Sequence, residues 1–274
     1  MSNIGTYANA INLVRQAGGV AFPTFYGQTY NVTDQAAFDV LPDPSRGPYV
    51  VTSISSLPFT TCNLTRSDRL QLRAGGNDLQ FAPFLASQFT PGTQLPQGID
   101  SSLCHPILIP AGGSLYIRNF QEGAGAPVAV TGDLTVTGFH TDARGARAIA
   151  RNGQPWIVPV VNDHNALGQT DIQLERQFIS GCVEMSHLVD CFQTTPILFD
   201  VRIRGVQISQ GANVFGDPAF AFNTPTSSGN ELYAKIAAGD NTVIRTVYPA
   251  AAGNAYKANI WTRRIYRQPN QQCN

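Results

Sequence analysis

The sequence predicts an all-β protein made of two tandem β-sandwich units with short helices. Three features carry that expectation. Short apolar or alternating runs recur along the chain, Gly- and Pro-rich turns separate them, and one order of strands and turns occurs twice. Length and composition fit. The 274 residues are 43% hydrophobic, enough for an ordinary core, while only 13% are charged, well below the quarter or so of an average soluble domain. Low charge suits sheet surfaces that meet neighbours; a free monomer usually carries more.

Taken in order, residues 7–15 read as a short helix stopped by Gly18-Gly19 or, equally, as an arm. Residues 22–48 are Pro-rich and depart from a simple sandwich. Residues 49–54 form a β-branched run between Pro48 and the turn Ser55-Ser56-Leu57-Pro58. Residues 70–73 alternate and stop at Gly75-Gly76-Asn77-Asp78. Short strands follow at residues 107–109, 114–118, 128–130 and 134–139, then at 156–161, 197–208, 232–236, 242–247 and 256–266. Alternation is clearest at Asp200-Val201-Arg202-Ile203-Arg204, which places Arg202 and Arg204 on one face. Two segments break the pattern. Residues 171–192 space their apolar side chains irregularly and are expected to contain a helix of about 10–15 residues. Arg144, Arg147 and Arg151 would form a basic stripe on a helix, but Gly145 and Gly153 favour an exposed linker.

The repeat is visible without gaps. Ala111-Gly112-Gly113-Ser114-Leu115-Tyr116-Ile117-Arg118 lines up on Ala238-Gly239-Asp240-Asn241-Thr242-Val243-Ile244-Arg245, an offset of 127 (238 − 111). Each copy enters from an apolar strand, passes a small-residue turn and ends in a long last strand. Residues 197–208 match residues 49–55 as an opening strand. The expected organisation is an N-terminal arm and lead-in (1–44), a first sandwich (45–142), a linker (143–170) and a second sandwich with its C-terminal tail (171–274).

Catalytic motifs are missing. There is no Gly-x-Ser-x-Gly elbow, no His-Glu-x-x-His and no Gly-x-x-x-x-Gly-Lys phosphate loop, and no nucleophile stands out near the four histidines. The best metal cluster is Cys182, His187 and Cys191, but its spacing fits no closed tetrahedral site. Cys182 and Cys191 form a disulfide if they lie on paired strands, and otherwise stay free thiols. No metal, cofactor or small-molecule substrate is expected. Net charge is zero, so no global field attracts nucleic acid, and the terminal stretch Trp261-Thr262-Arg263-Arg264 reads as a half-buried strand. The residues around Met1 lack a basic, apolar leader, so no signal peptide is expected.

The stretch Pro110-Ala111-Gly112-Gly113-Ser114-Leu115-Tyr116-Ile117, followed by Val130-Thr131-Gly132-Asp133-Leu134-Thr135-Val136-Thr137-Gly138-Phe139, looks like the closing strands of a viral β-sandwich. Occurring twice, it resembles the tandem (double) jelly-roll major capsid proteins of membrane-containing, tailless icosahedral viruses and phages. The resemblance implies a jelly-roll-like capsid subunit, not an enzyme. It would be made in the host cytoplasm, located in the virion and assembled as a homotrimer within a larger shell. Its partners would be other copies, other virion proteins and an underlying membrane or inner layer. Interface candidates are Arg202, Arg204, Arg263, Arg264 and Cys273 in the C-terminal tail. The rival is a carbohydrate- or receptor-binding sandwich, such as a spike, tail-fibre or lectin-like module, with Tyr26, Tyr30, Trp156 and Tyr233 as candidate exposed aromatics.

Overall fold

Strand pairing divides the chain into two units with one topology. The computed structural model describes residues 4–32, 37–56, 69–80, 84–85, 102–120, 130–162, 169–174, 182–191, 197–203, 206–214, 231–236, 242–247 and 256–265. Helix α1 (Ile4–Gln16) precedes strands β1 (Ala21–Val32), β2 (Ala37–Val40), β3 (Tyr49–Ser56), β4 (Arg69–Ala74), β5 (Asn77–Asp78), β6 (Phe84–Leu85), β7 (Ser102–Ile109), β8 (Leu115–Phe120) and β9 (Val130–Thr141). Helix α2 (Ala143–Asn152) leads into β10 (Gln154–Asn162), β11 (Gln169–Leu174), β12 (Cys182–Cys191), β13 (Ile197–Ile203) and β14 (Val206–Val214). Strands β15 (Glu231–Ile236), β16 (Thr242–Val247) and β17 (Tyr256–Ile265) complete the second unit.

The first unit has sheets of order β1-β9-β3-β7 and β2-β8-β4-β5, with β6 also paired to β4; the second has β10-β17-β12-β15 and β11-β16-β13-β14. Every pairing is antiparallel. Replacing β1 by β10, β2 by β11, and so on to β9 by β17, converts one pair of orders into the other, with β14 standing for β5 and β6. Each unit is therefore a jelly roll: two packed antiparallel sheets with Greek-key connections, four-stranded except for the five-stranded β2-β8-β4-β5 sheet with its β6.

The correspondence extends to single residues. Pro23 lies opposite Phe139, and Pro155 opposite Arg263. Aligning the two prolines sets Gly138 on Thr262. At those two positions the partner strands carry a register shift, between Val51 and Ser53 in β3 and between Met185 and His187 in β12. A proline and a bulge thus give the same alignment independently.

Several sequence expectations need correction. The Pro-rich stretch 22–48 holds β1, β2 and a short 3-10 turn (Pro44–Arg46), so the first sandwich begins near residue 21 rather than 45. The expected linker 143–170 contains α2, β10 and the start of β11, so the second sandwich begins at Gln154 rather than 171. Residues 171–192 contain no helix among the described residues; they hold the end of β11 and β12, and the register shifts of β12 at Met185/His187 and Val189/Cys191 scramble the period-2 pattern. Residues 197–208 are parts of two strands, β13 and β14, and β13 corresponds to β4. The counterpart of β3 is β12.

Residues 144–151 are helical after all. Asp142 caps the first turn by accepting from the Gly145 amide at 2.9 Å, and alanines fill the interior. Gly153 ends the helix at φ +97°, a conformation that favours glycine. Gly145 is a contact residue, not a breaker: a Cβ there would lie 2.0 Å from Thr141 Oγ1 and 2.8 Å from Val14 Cγ1.

The first unit has two apolar layers. Leu72, Ala74, Leu115 and Ile117 of one sheet and Val51, Ile54, Ile107, Ile109, Leu134 and Val136 of the other are buried. On the opposite face of the β1-β9-β3-β7 sheet, Phe139 and Val50 pack under α1 and α2 with Ala10, Val14 and Ile149. Burying each such large side chain contributes about 2 kcal/mol. Among the described residues no helix is long and apolar enough to cross a membrane.

Candidate functional site

Among the described residues, no three His, Cys, Asp and Glu side chains form a group able to hold a metal. The informative features are the sheet edges. Strand β1 forms one edge of its sheet and β7 the other. The β7 edge is closed within the chain. Gln154, at the start of β10, accepts from the Leu108 amide through Oε1 (3.1 Å) and donates to the Leu108 carbonyl through Nε2 (3.2 Å). One side chain thereby satisfies both backbone groups of an edge residue. Strands β7 and β10 nevertheless belong to separate sheets, and Pro155 follows Gln154 without an N–H to extend a ladder. Strands β6 and β7 of the first unit lie against β10 and β17 of the second.

The β1 edge has no such cover among the described residues. Phe22 is 57% exposed and Phe25 73%. Pro23 blunts ladder extension here as Pro155 does in β10. In the proline alignment Phe22 occupies the position of Gln154.

A buried polar cluster holds this strand in place. The Asp43 amide donates to the Tyr26 hydroxyl oxygen (3.0 Å), and the same hydroxyl is hydrogen-bonded to His140 Nε2. The Gly47 carbonyl, 3.0 Å from His140 Nδ1, can only accept. His140 is 0% exposed, with both ring nitrogens engaged. Tyr49 meets the Tyr26 ring edge-on and the His140 ring at a tilt, and donates to the carbonyls of Thr24 (2.8 Å) and Val136 (3.2 Å). Burial raises its phenol pKa well above the ordinary value. Tyr26, expected as an exposed ligand-binding aromatic, belongs to this scaffold. At the base, Asp142 accepts from the Val20 amide (3.4 Å) as well as Gly145; these bonds hold its carboxyl below the usual range.

The outward row of the β2-β8-β4-β5 sheet is polar and self-paired. Arg73 bonds Asp78 at 2.6 Å and lies 5.4 Å from the Tyr116 ring centroid, and Ser114 donates to Asp39 at 2.7 Å. Exposed pairs of this kind contribute about 1 kcal/mol or less.

The sequence-derived site residues are scattered. Cys182 and Cys191 end one strand, about 30 Å apart at ~3.3 Å per residue, so neither a disulfide nor a metal can join them within the chain. Arg263 and Arg264 lie in β17, an inner strand, opposite Glu184 and Val183 of β12. Arg202 lies in β13, opposite Val243 and Gln207. Arg204 and Cys273 fall outside the described residues. Sequence reading missed the β1 edge; the one available signal was the pair of apolar, proline-bearing strand starts at Phe22-Pro23 and Pro155-Trp156.

No protein-family model and no curated protein sequence matches the chain. Among solved structures, the chain is similar to the STIV MCP, a major capsid protein, at 14% identity and TM-score 0.47, covering 90% of this chain and 98% of that one. It is also similar to a chain of the Sulfolobus Turreted Icosahedral Virus structure (14%, TM-score 0.44, 88% and 91% covered). A third, a conserved protein of unknown function from Pseudomonas aeruginosa PAO1, stands at 10% identity and TM-score 0.22, with 87% and 80% covered. At TM-scores below 0.5, none of these likenesses adds to what the strand order establishes.

Proposed function

We propose that the chain is a virion structural protein, a capsid subunit that assembles through symmetric trimeric contacts into a shell and performs no catalysis. The supporting observation is the repetition of strand order: one chain carries two like jelly rolls, already docked edge to edge through Gln154. Three such chains present six similar units, a shape suited to close packing on a surface. Low charge fits as well, since it limits repulsion between crowded copies. In this reading the partners are other copies, other virion proteins and an underlying membrane or inner layer. The protein is made in the host cytoplasm and resides in the virion.

The test is light scattering of the purified full chain over a wide concentration range, followed by electron microscopy. Trimers that associate into sheets or shells are the expected result. A chain that stays monomeric throughout overturns the assembly role and favours a ligand-binding sandwich.

A further inference from the structure

We propose that the outward face of the α1–α2 helix layer binds the phosphate backbone of double-stranded nucleic acid without reading its sequence. This goes beyond the capsid reading and does not depend on how copies assemble.

Charge is segregated in this chain. The whole is neutral, with 18 basic and 18 acidic residues. Helices α1 and α2 nevertheless hold Arg15, Arg144, Arg147 and Arg151 and not one Asp or Glu. All four arginines are exposed, and among the described residues none of them is in an ion pair. The carboxylate that precedes α2, Asp142, is committed to the amides of Gly145 and Val20. Packing joins the two helices into one surface. Val14 of α1 lies against Gly145 of α2, and the Arg144 guanidinium lies beside Gly18, just past the end of α1. Arg144, Arg147 and Arg151 stand at i, i+3 and i+7 and share one face of α2 over about 10 Å of helix. The buried Gly145 and Ile149 occupy the opposite face.

Helix stability does not account for this stripe. Arg144 stands in the first turn, where the helix dipole disfavours a cation. No Asp or Glu lies three or four residues from any of the four arginines, so none gains a partner along its own helix. The accessible positions between the α2 arginines are Ala146, Ala148 and Ala150, too short to shield guanidinium groups from a broad partner.

The chemistry selects that partner. Guanidinium groups pair bidentately with phosphate oxygens. Exposed amides on α1, from Asn9, Asn12 and Gln16, add donors for phosphate and sugar oxygens. A single strand would need exposed rings for stacking, but the one aromatic of the two helices, Tyr7, packs edge-on against Phe139. A membrane surface fits less well, because the apolar stripes of both helices, with Ala10, Val14 and Ile149, are already buried against the sheet.

The experiment titrates the full chain against a labelled DNA duplex of arbitrary sequence, read by fluorescence anisotropy across a salt series. Four phosphate contacts at ~0.9 each give an expected log–log salt slope of about −3.6. Arg147→Gln and Arg151→Gln should each weaken binding about tenfold at low salt and flatten the slope by about 1, with circular dichroism unchanged because both side chains lie outside the core. Arg147→Lys should retain the slope. Arg73→Gln, on the outward face of the other sheet, should change neither quantity. Absence of binding at low salt overturns the proposal, as does binding that both α2 glutamine variants leave unaltered. Stronger binding to vesicles of anionic phospholipid than to the duplex, lost in the same variants, also overturns it and assigns the surface to a membrane. A chain that binds the duplex as described yet stays monomeric supports the proposal, and only the assembly reading then fails.

Discussion

Replacing Gly145 by Ala sets two effects of opposite sign against each other. Helix propensity alone favours alanine by at most about 1 kcal/mol. Packing opposes it. The new methyl would lie 2.0 Å from Thr141 Oγ1 and 2.8 Å from Val14 Cγ1, well inside any real carbon contact. Thr141 is not free to turn away: its hydroxyl donates to the Val20 carbonyl at 2.7 Å, and the residue is buried. Relief means losing that bond, about 1 kcal/mol, or lifting α2 off α1 at an overpacking cost of about 1–3 kcal/mol. Packing wins, and the net loss is about 2 kcal/mol, on the order of 5 °C in Tm for a chain of this size. Thermal and urea unfolding followed by circular dichroism would read the change. Ala150→Gly, at an exposed position of the same helix, calibrates the propensity side at a loss of about 1 kcal/mol or less. If Gly145→Ala melts at or above the wild-type temperature, the close helix–helix seam described above is wrong.

Three further outcomes are expected. Gln154→Ala should loosen the junction between the jelly rolls by about 1–3 kcal/mol, because Leu108 loses two partners; calorimetry should then separate the two units' transitions, whereas one unchanged transition would show that Gln154 does not couple them. Tyr49→Phe should cost about 1–2 kcal/mol by removing the donor shared by the Thr24 and Val136 carbonyls, and an unaltered urea midpoint would contradict that role. Asp142 has a lowered pKa in the folded chain, chiefly from the Gly145 amide, so its contribution is full above the ordinary carboxylate value of 3.8 and is lost as pH falls through the lower folded value. Amide exchange at Gly145 and Val20 should therefore rise on acidification, and Asp142→Asn should remove that pH dependence; identical profiles for both proteins would contradict the cap.

Fold class was legible because most strands announce themselves through alternation or β-branched runs bounded by turns, as at residues 49–54 and 242–247. The failures have physical causes. Gly145 and Gly153 looked like loop residues, yet one marks a close approach and the other a helix cap, and a sequence does not distinguish these uses of glycine. β12 looked helical because its bulges shift apolar residues off the period of two. β1 was hidden because its start does not alternate: Phe22 and Pro23 are both exposed, and the alternation of partly buried and exposed positions begins only at Thr24. His140 gave no local signal, since Gly47 and Tyr26 reach it only through the fold.

The two jelly rolls have diverged where their surroundings differ. In the first unit a row runs across the sheet through Pro23, Phe139, Val50 and Leu108, and its apolar members are capped by α1 and α2. The equivalent row of the second unit reads Pro155, Arg263, Glu184 and Lys235. Among the described residues no helix follows β10. The row without a helical cover is built of opposite charges in adjacent register, each neighbouring pair contributing about 0.2–1 kcal/mol. The other sheet of that unit repeats the device, with Arg245 between Asp171 and Asp200. Arg263 is thus in register with Glu184 of its own sheet. Charge in the second unit replaces the apolar cover that the helices supply in the first.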